Sequence, residues 1–215
     1  KATYAKKILK SEAKINWNES AKKVLAKINA LNPNPGAWFE YNKERYKVWK
    51  AKIVNKNGVL KIRLNIEKSF DGKATNVKLF YNTLDVIDAN EGAVITSYDT
   101  IRQYEIKLKA QEGGLIKSAI DTKEIIMKAV TGGVIDVSGI TQHQNIAIST
   151  GGVVKAATLK SKNTDILITT GGEAFVNSTE SLDIKIRAGG DVFIYGKPKK
   201  VTKNKVLGGR IKYMD

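Results

Sequence analysis

The sequence predicts a mainly β protein: a parallel β-solenoid with turns of about 19 residues over 57–215, preceded by a small α+β segment over 1–54. Two observations carry this reading. A glycine pair recurs at 113/114, 132/133, 151/152, 171/172, 189/190 and 208/209, at intervals of 19, 19, 20, 18 and 19 residues. A unit that short cannot bury its own apolar face, so copies must stack on one another. Composition also changes abruptly near residues 53–60. Residues 1–56 hold fourteen Lys/Arg against four Asp/Glu and all three tryptophans, whereas seventeen of the eighteen glycines follow residue 57.

The first segment opens with "ATYAKKILKSEAKINW", which has no clean period and reads as a surface linker. A helix follows. Ser20 caps it, Ala21, Val24, Leu25, Ile28 and Leu31 repeat at helical spacing, and Pro33 and Pro35 stop it after Asn32. That stripe turns inward and leaves Lys22, Lys23 and Lys27 in solvent. "AWFEYN" and "ERYKVWKAKIV" alternate as strands around a turn at Asn42–Lys43.

In the solenoid, the fifth residue before the first five pairs is Leu108, Met127, Ile146, Ile166 and Ile184. The third before is Ala110, Ala129, Ile148, Ile168 and Ile186. After the last five pairs, Ile135, Val154, Ala174, Val192 and Ile211 share one phase, and Val137, Ala156, Val176, Ile194 and Tyr213 another. This is the period of two expected for a half-buried strand on either side of each pair, with the glycines forming a corner. "VLKIRLNIEKSF" and "TNVKLFYNTLDVIDANEGAVI" read as earlier, less regular turns. Lys205, in a normally apolar phase, marks a terminal turn.

The chain lacks cysteine and has one histidine, His143, so thiolate and His-based metal sites are excluded. There is no cofactor motif and no apolar run long enough for a membrane-spanning helix. The chain starts at Lys1, which says nothing about compartment and leaves room for a removed leader. The formal charge of +16 invites a polyanionic partner, and +10 of it lies in residues 1–56.

The segment "TYAKKILKSEAKINWNESAKKVLAKINALNPNPGAWFEYNKERYKVWKA", with its I-x-W, S-A-x-x-V helix and N-P-x-P-G-A turn, resembles the linker and start of the C-terminal domain of methionyl-tRNA formyltransferases. The resemblance implies an OB-like domain, truncated here, that helps hold tRNA; the catalytic domain is not in this chain. "GGVIDVSG", "STGGVVKAATL", "LDIKIRAGGDVFIYGKPKKV" and "VLGGRIKYMD" are similar to the GIN domain family of auto-transporter adhesin heads. That resemblance implies an envelope or extracellular β-solenoid whose partner is a surface protein or glycan. Formyltransferase work would instead be cytoplasmic. The two resemblances meet near residues 53–60, as a gene fusion or a joining of unrelated DNA would leave them.

Candidate nucleic-acid contacts are Lys43, Arg45, Lys47, Lys50 and Lys52, interleaved with Tyr41, Tyr46 and Trp49, which could meet tRNA through phosphate charge and base stacking. On the solenoid, Phe175 and Phe193 occupy equivalent outward positions and are candidate ligand-contact aromatics; a ladder-strengthening pair is the plainer alternative. Glu173 and Asp191 share an outward slot on adjacent turns and are candidates for acid/base work or calcium; a solvated face whose charges discourage edge pairing is the plainer alternative. No catalytic residue is assigned. The expected function is a non-enzymatic envelope or adhesin-like binding module, with tRNA binding by the basic segment as the alternative.

Overall fold

The computed structural model describes residues 8–41, 44–49, 51, 58, 60–62 and 77–214. The chain divides into two compact units, 1–78 and 79–215.

In the first unit, helix α1 (Ala21–Leu31) starts at Ser20, whose hydroxyl accepts from the Lys23 amide at 3.4 Å. Val24, Ile28 and Leu31 form its buried stripe. They pack with Ala13, Ile15 and Ala37 against the half-buried Trp38, Phe39 and Val48. Strands β1 (Ala37–Tyr41) and β2 (Glu44–Val48) pair antiparallel, Ala37 opposite Val48 and Tyr41 opposite Glu44. The expected turn at Asn42–Lys43 lies outside the described residues.

Two readings of this unit change. Residues 10–15 run over the surface at Lys10, Ser11, Glu12 and Lys14 but are anchored at Ala13 and Ile15: the Ile15 amide donates to Trp38 O at 2.6 Å, the Trp38 amide to Ala13 O at 2.9 Å, and the Trp38 indole to Lys10 O at 2.8 Å. Ala13 and Ile15 are buried, because the strand edge at Trp38 needs partners and these two apolar side chains complete the core under α1. Lys27 is half-buried, its ammonium 3.7 Å from Glu19 and donating to Lys14 O at 3.2 Å.

The second unit is a parallel β-solenoid. Its strands are β3 (Val86–Ala89), β4 (Val94–Thr96), β5 (Ile101–Ala110), β6 (Leu115–Val130), β7 (Val134–Ser149), β8 (Val153–Ile168), β9 (Glu173–Ala188), β10 (Asp191–Tyr195), β11 (Lys200–Leu207) and β12 (Arg210–Tyr213). Neighbours stack in the order β12-β10-β9-β8-β7-β6-β5-β3, with β11 on β9 and β4 on β6. Each of β6 to β9 runs 16 residues from one glycine pair to the next. The expected two strands per turn are therefore one bent strand, whose inward phase switches at the bend: in β6, Ile116, Ser118, Ile120 and Thr122 face in, then Ile125, Met127 and Ala129.

The glycine pair has two separate causes. The first glycine is left-handed, with φ of +71° at Gly132 and +73° at Gly151, and a Cβ there would meet nothing within 4 Å. The second is a close approach: a Cβ on Gly133 would lie 2.0 Å from Ala110 O of the preceding turn, and in the later pairs Gly172, Gly190 and Gly209 are left-handed as well. Stacking of the corners therefore requires glycine only at the second position.

The intervals of 20 and 18 residues have a physical reading. Register shifts between Asp136 and Ser138 where β7 meets β8, and again where β8 meets β9 around Ala156–Lys160 and Ser161–Asn163. The added length in β8 is a bulge, and it carries Leu159 into the core opposite Gly139. Of the expected first turns, residues 60–62 and 77–85 carry no strand, and the rest of 59–76 lies outside the described residues. At the far end Lys203 and Lys205 stand in register with the core residues Ile184 and Ile186, so the last turn closes the core with aliphatic stems and exposed ammonium groups.

Candidate functional site

Stacking aligns equivalent outward side chains of successive turns into ladders. Lys117, Asp136, Lys155, Phe175, Phe193 and Lys212 form one such ladder. Phe175 and Phe193 stack with centroids 4.5 Å apart and planes 8° from parallel, and the Lys212 ammonium lies 5.8 Å from the Phe193 centroid. Each ring thus spends one face on the other, which leaves mainly edges toward solvent.

Glu173 and Asp191 are also register neighbours. Asp191, however, is engaged by Arg210 through two hydrogen bonds, from Nε at 2.9 Å and from the terminal nitrogen. These bonds hold the Asp191 carboxyl below its ordinary range and push the Arg210 guanidinium up. An aspartate so held is neither a proton donor near neutral pH nor a free calcium ligand. Among the described residues no group of three His, Cys, Asp or Glu is placed to hold a metal ion. His143 Nε2 lies 2.6 Å from Asp165 Oδ2 on the surface of the next turn.

A shallow concavity lies elsewhere, along the bend of the turns. It spans β5 to β9 with a volume of about 640 Å³. Its floor is an inward ladder of hydroxyls. Thr122 and Thr141 are buried with their oxygens 3.4 Å apart; Thr141 Oγ1 lies 3.2 Å from His143 O and 3.3 Å from Lys123 O, and Ser161 donates to Asn163 O at 2.6 Å. These hydroxyls answer the carbonyls that a bent strand turns away from the ladder. On either side of this floor the outward residues are Asp121, Ile140 and Lys160, and Tyr104, Lys123, Gln142 and Lys162. Tyr104 is 71% exposed and Ile140 55%, a large aromatic and a large aliphatic side chain held in water on a rigid sheet. The lysines Lys123, Lys160 and Lys162 are exposed and have no ion-pair partner among the described residues.

The reading of the sequence missed this groove. Its walls come from different turns, so no local motif contains them; the available signal was Ile140, an isoleucine in an outward phase.

In the first unit, Arg45 lies 3.8 Å over the Trp38 ring and Lys47 is 5.3 Å from the Trp49 ring. Two of the candidate nucleic-acid cations therefore rest on the protein's own aromatic faces. Lys43, Lys50 and Lys52 lie outside the described residues.

Comparison with known proteins matches both units. The family described as "Putative auto-transporter adhesin, head GIN domain" matches residues 45–198, and the formyl transferase C-terminal domain matches residues 7–79. The methionyl-tRNA formyltransferase of Pelagibacter ubique is 54% identical over 57 residues, 26% of this chain and 18% of that protein. That of Orientia tsutsugamushi is 49% identical over 70 residues, 30% of this chain and 23% of that protein. The chain thus spans less than a quarter of the length of these curated relatives. Among solved structures, an adhesin described as putative from Bacteroides fragilis aligns with a TM-score of 0.58 at 18% identity, covering 66% of this chain and 69% of that one.

Proposed function

We propose that this chain, which belongs to the putative auto-transporter adhesin, head GIN domain family, is a non-enzymatic binding module of the cell envelope or cell surface, and that the solenoid makes the contact. The observation that carries this reading is the groove along the bend, where Tyr104 and Ile140 stand exposed beside exposed lysines on a scaffold of stacked 16-residue strands. Large apolar groups held rigidly in water lose little entropy when a partner covers them. Against a catalytic role, Asp191 is committed to Arg210.

The test is binding of the full chain to immobilised envelope glycans and envelope proteins, beside a Tyr104→Ala/Ile140→Asp variant whose fold is checked by circular dichroism. Saturable binding that weakens about tenfold or more in the variant supports the proposal. Absence of saturable binding, or binding indifferent to the variant, contradicts it.

A second reading rests on the formyl transferase match and the basic strand β2: tRNA binding by the first unit, with Arg45 and Lys47 on its phosphates. It predicts affinity that falls steeply with salt and weakens in an Arg45→Gln/Lys47→Gln variant. Equal affinity in the variant would remove it.

A further inference from the structure

Three features of the groove specify a ligand class. First, Lys123 on β6 and Lys160 and Lys162 on β8, two turns on, have no ion-pair partner among the described residues, so three ammonium groups face one open channel. Second, the channel follows the solenoid axis across β5 to β9, so Lys123 and Lys162 stand in one column two strand spacings apart, about 10 Å, with the uncharged Gln142 of β7 between them. Third, its lining is mixed: Ile140 stands on the ladder between Asp121 and Lys160. Asp121 is held only loosely by Arg102, at 3.8 Å, and remains an acceptor.

Lysines alone would suit any polyanion. A carboxylate acceptor and an aliphatic side chain between them suit a linear chain that alternates negative charge with hydroxyls and C–H faces. They do not suit an unbroken row of phosphates, which Asp121 would repel. We infer that the bend groove binds an acidic, uronate-type linear polysaccharide: the lysines take its carboxylates, Asp121 and Gln142 its hydroxyls, and Ile140 with Tyr104 its apolar faces. This inference rests on the proposed binding function and names the ligand of the same groove.

The experiment titrates the full chain with polygalacturonate, with dextran as a neutral chain and single-stranded DNA as a phosphate chain. Two triple variants are compared, each removing the same charge: Lys123→Gln/Lys160→Gln/Lys162→Gln in the groove, and Lys128→Gln/Lys155→Gln/Lys185→Gln elsewhere on the solenoid. Three exposed charge contacts correspond to roughly a tenfold loss, so the groove triple is expected to weaken polygalacturonate about tenfold and the other triple about twofold or less. Dextran should not bind, and binding to DNA should not depend on the groove triple.

Equal losses in both triples, no loss in either, or preference for dextran or groove-dependent preference for DNA would overturn the inference. Such a result alongside envelope binding that still depends on Tyr104 and Ile140 leaves the broader function standing. Failure of that envelope binding as well removes both.

Discussion

Substituting the two glycines of one corner separates conformation from close approach. At Gly132 φ is +71° and an added Cβ meets nothing, so Gly132→Ala incurs only the left-handed conformation, about 1–2 kcal/mol. At Gly133 the added Cβ would sit 2.0 Å from Ala110 O, 2.3 Å from Ala110 C and 2.8 Å from the Gln111 amide nitrogen, all backbone atoms of the turn before. Relief requires the turns to part by about an ångström. That strains the bonds from Val134 N to Gly114 O and from Val153 N to Gly133 O, both 2.9 Å. Overpacking of about 1–3 kcal/mol plus about 1 kcal/mol for each weakened bond gives roughly 3–5 kcal/mol for Gly133→Ala. Thermal unfolding of the full chain followed by far-UV circular dichroism should then show Tm lowered by about 2–8 °C in Gly132→Ala and about 6–20 °C in Gly133→Ala. Equal shifts, or a larger shift at Gly132, would refute the assignment of the pair to two causes.

Other perturbations address the bend, the far end and the aromatic ladder. Thr141→Val removes the hydroxyl beside the His143 and Lys123 carbonyls and should destabilise the solenoid by about 1–2 kcal/mol in urea unfolding, while Thr158→Val, an exposed position on the next turn, should change little. Asp191 is held below its ordinary value of 3.8 by Arg210, so their pairing stabilises the fold above the unfolded carboxyl range and the contribution vanishes as pH falls through the lowered native value. Wild type and Arg210→Ala should therefore differ in stability at neutral pH and converge as the pH falls through the lowered native value of the Asp191 carboxyl, read from urea unfolding at each pH. A double-mutant cycle of Phe175→Leu and Phe193→Leu should give a coupling of about 0.5–1.5 kcal/mol, because each ring covers a face of the other.

What could be read from sequence follows from what each feature repeats. The corner glycines recur in one chain at one phase, and the inward columns from Leu108 to Ile184 and from Ala110 to Ile186 recur with them, so turn length and core were both visible. The bend was not. It is marked by Thr122, Thr141 and Ser161, polar residues in an inward phase, and polarity in a strand normally signals solvent. The bulge in β8 shows in the sequence only as intervals of 20 and 18, which do not say where the extra residue goes; the need to fill the space opposite Gly139 with Leu159 decides that. Anchoring of residues 10–15 was missed because Ala13 and Ile15 are too few to make a period, and their burial depends on the edge at Trp38. The stacking of Phe175 on Phe193 was legible, since the register follows from the glycine phase, but the commitment of Asp191 to Arg210 needed the pairing of β10 with β12. The groove depends on the same kind of cross-turn pairing, with Ile140 next to Lys160 and Gln142 next to Lys162 only once β7 and β8 are aligned.

The most direct test of the central claim, that the bend groove is the contact surface, is hydroxyl-radical footprinting of the full chain with and without polygalacturonate. Protection at Tyr104, Ile140 and Lys160, with unchanged labelling at Trp17 and Trp49, is the predicted result. Protection confined to Trp17, Trp49 and their neighbours, with Tyr104 and Ile140 labelled as in the free protein, would contradict it.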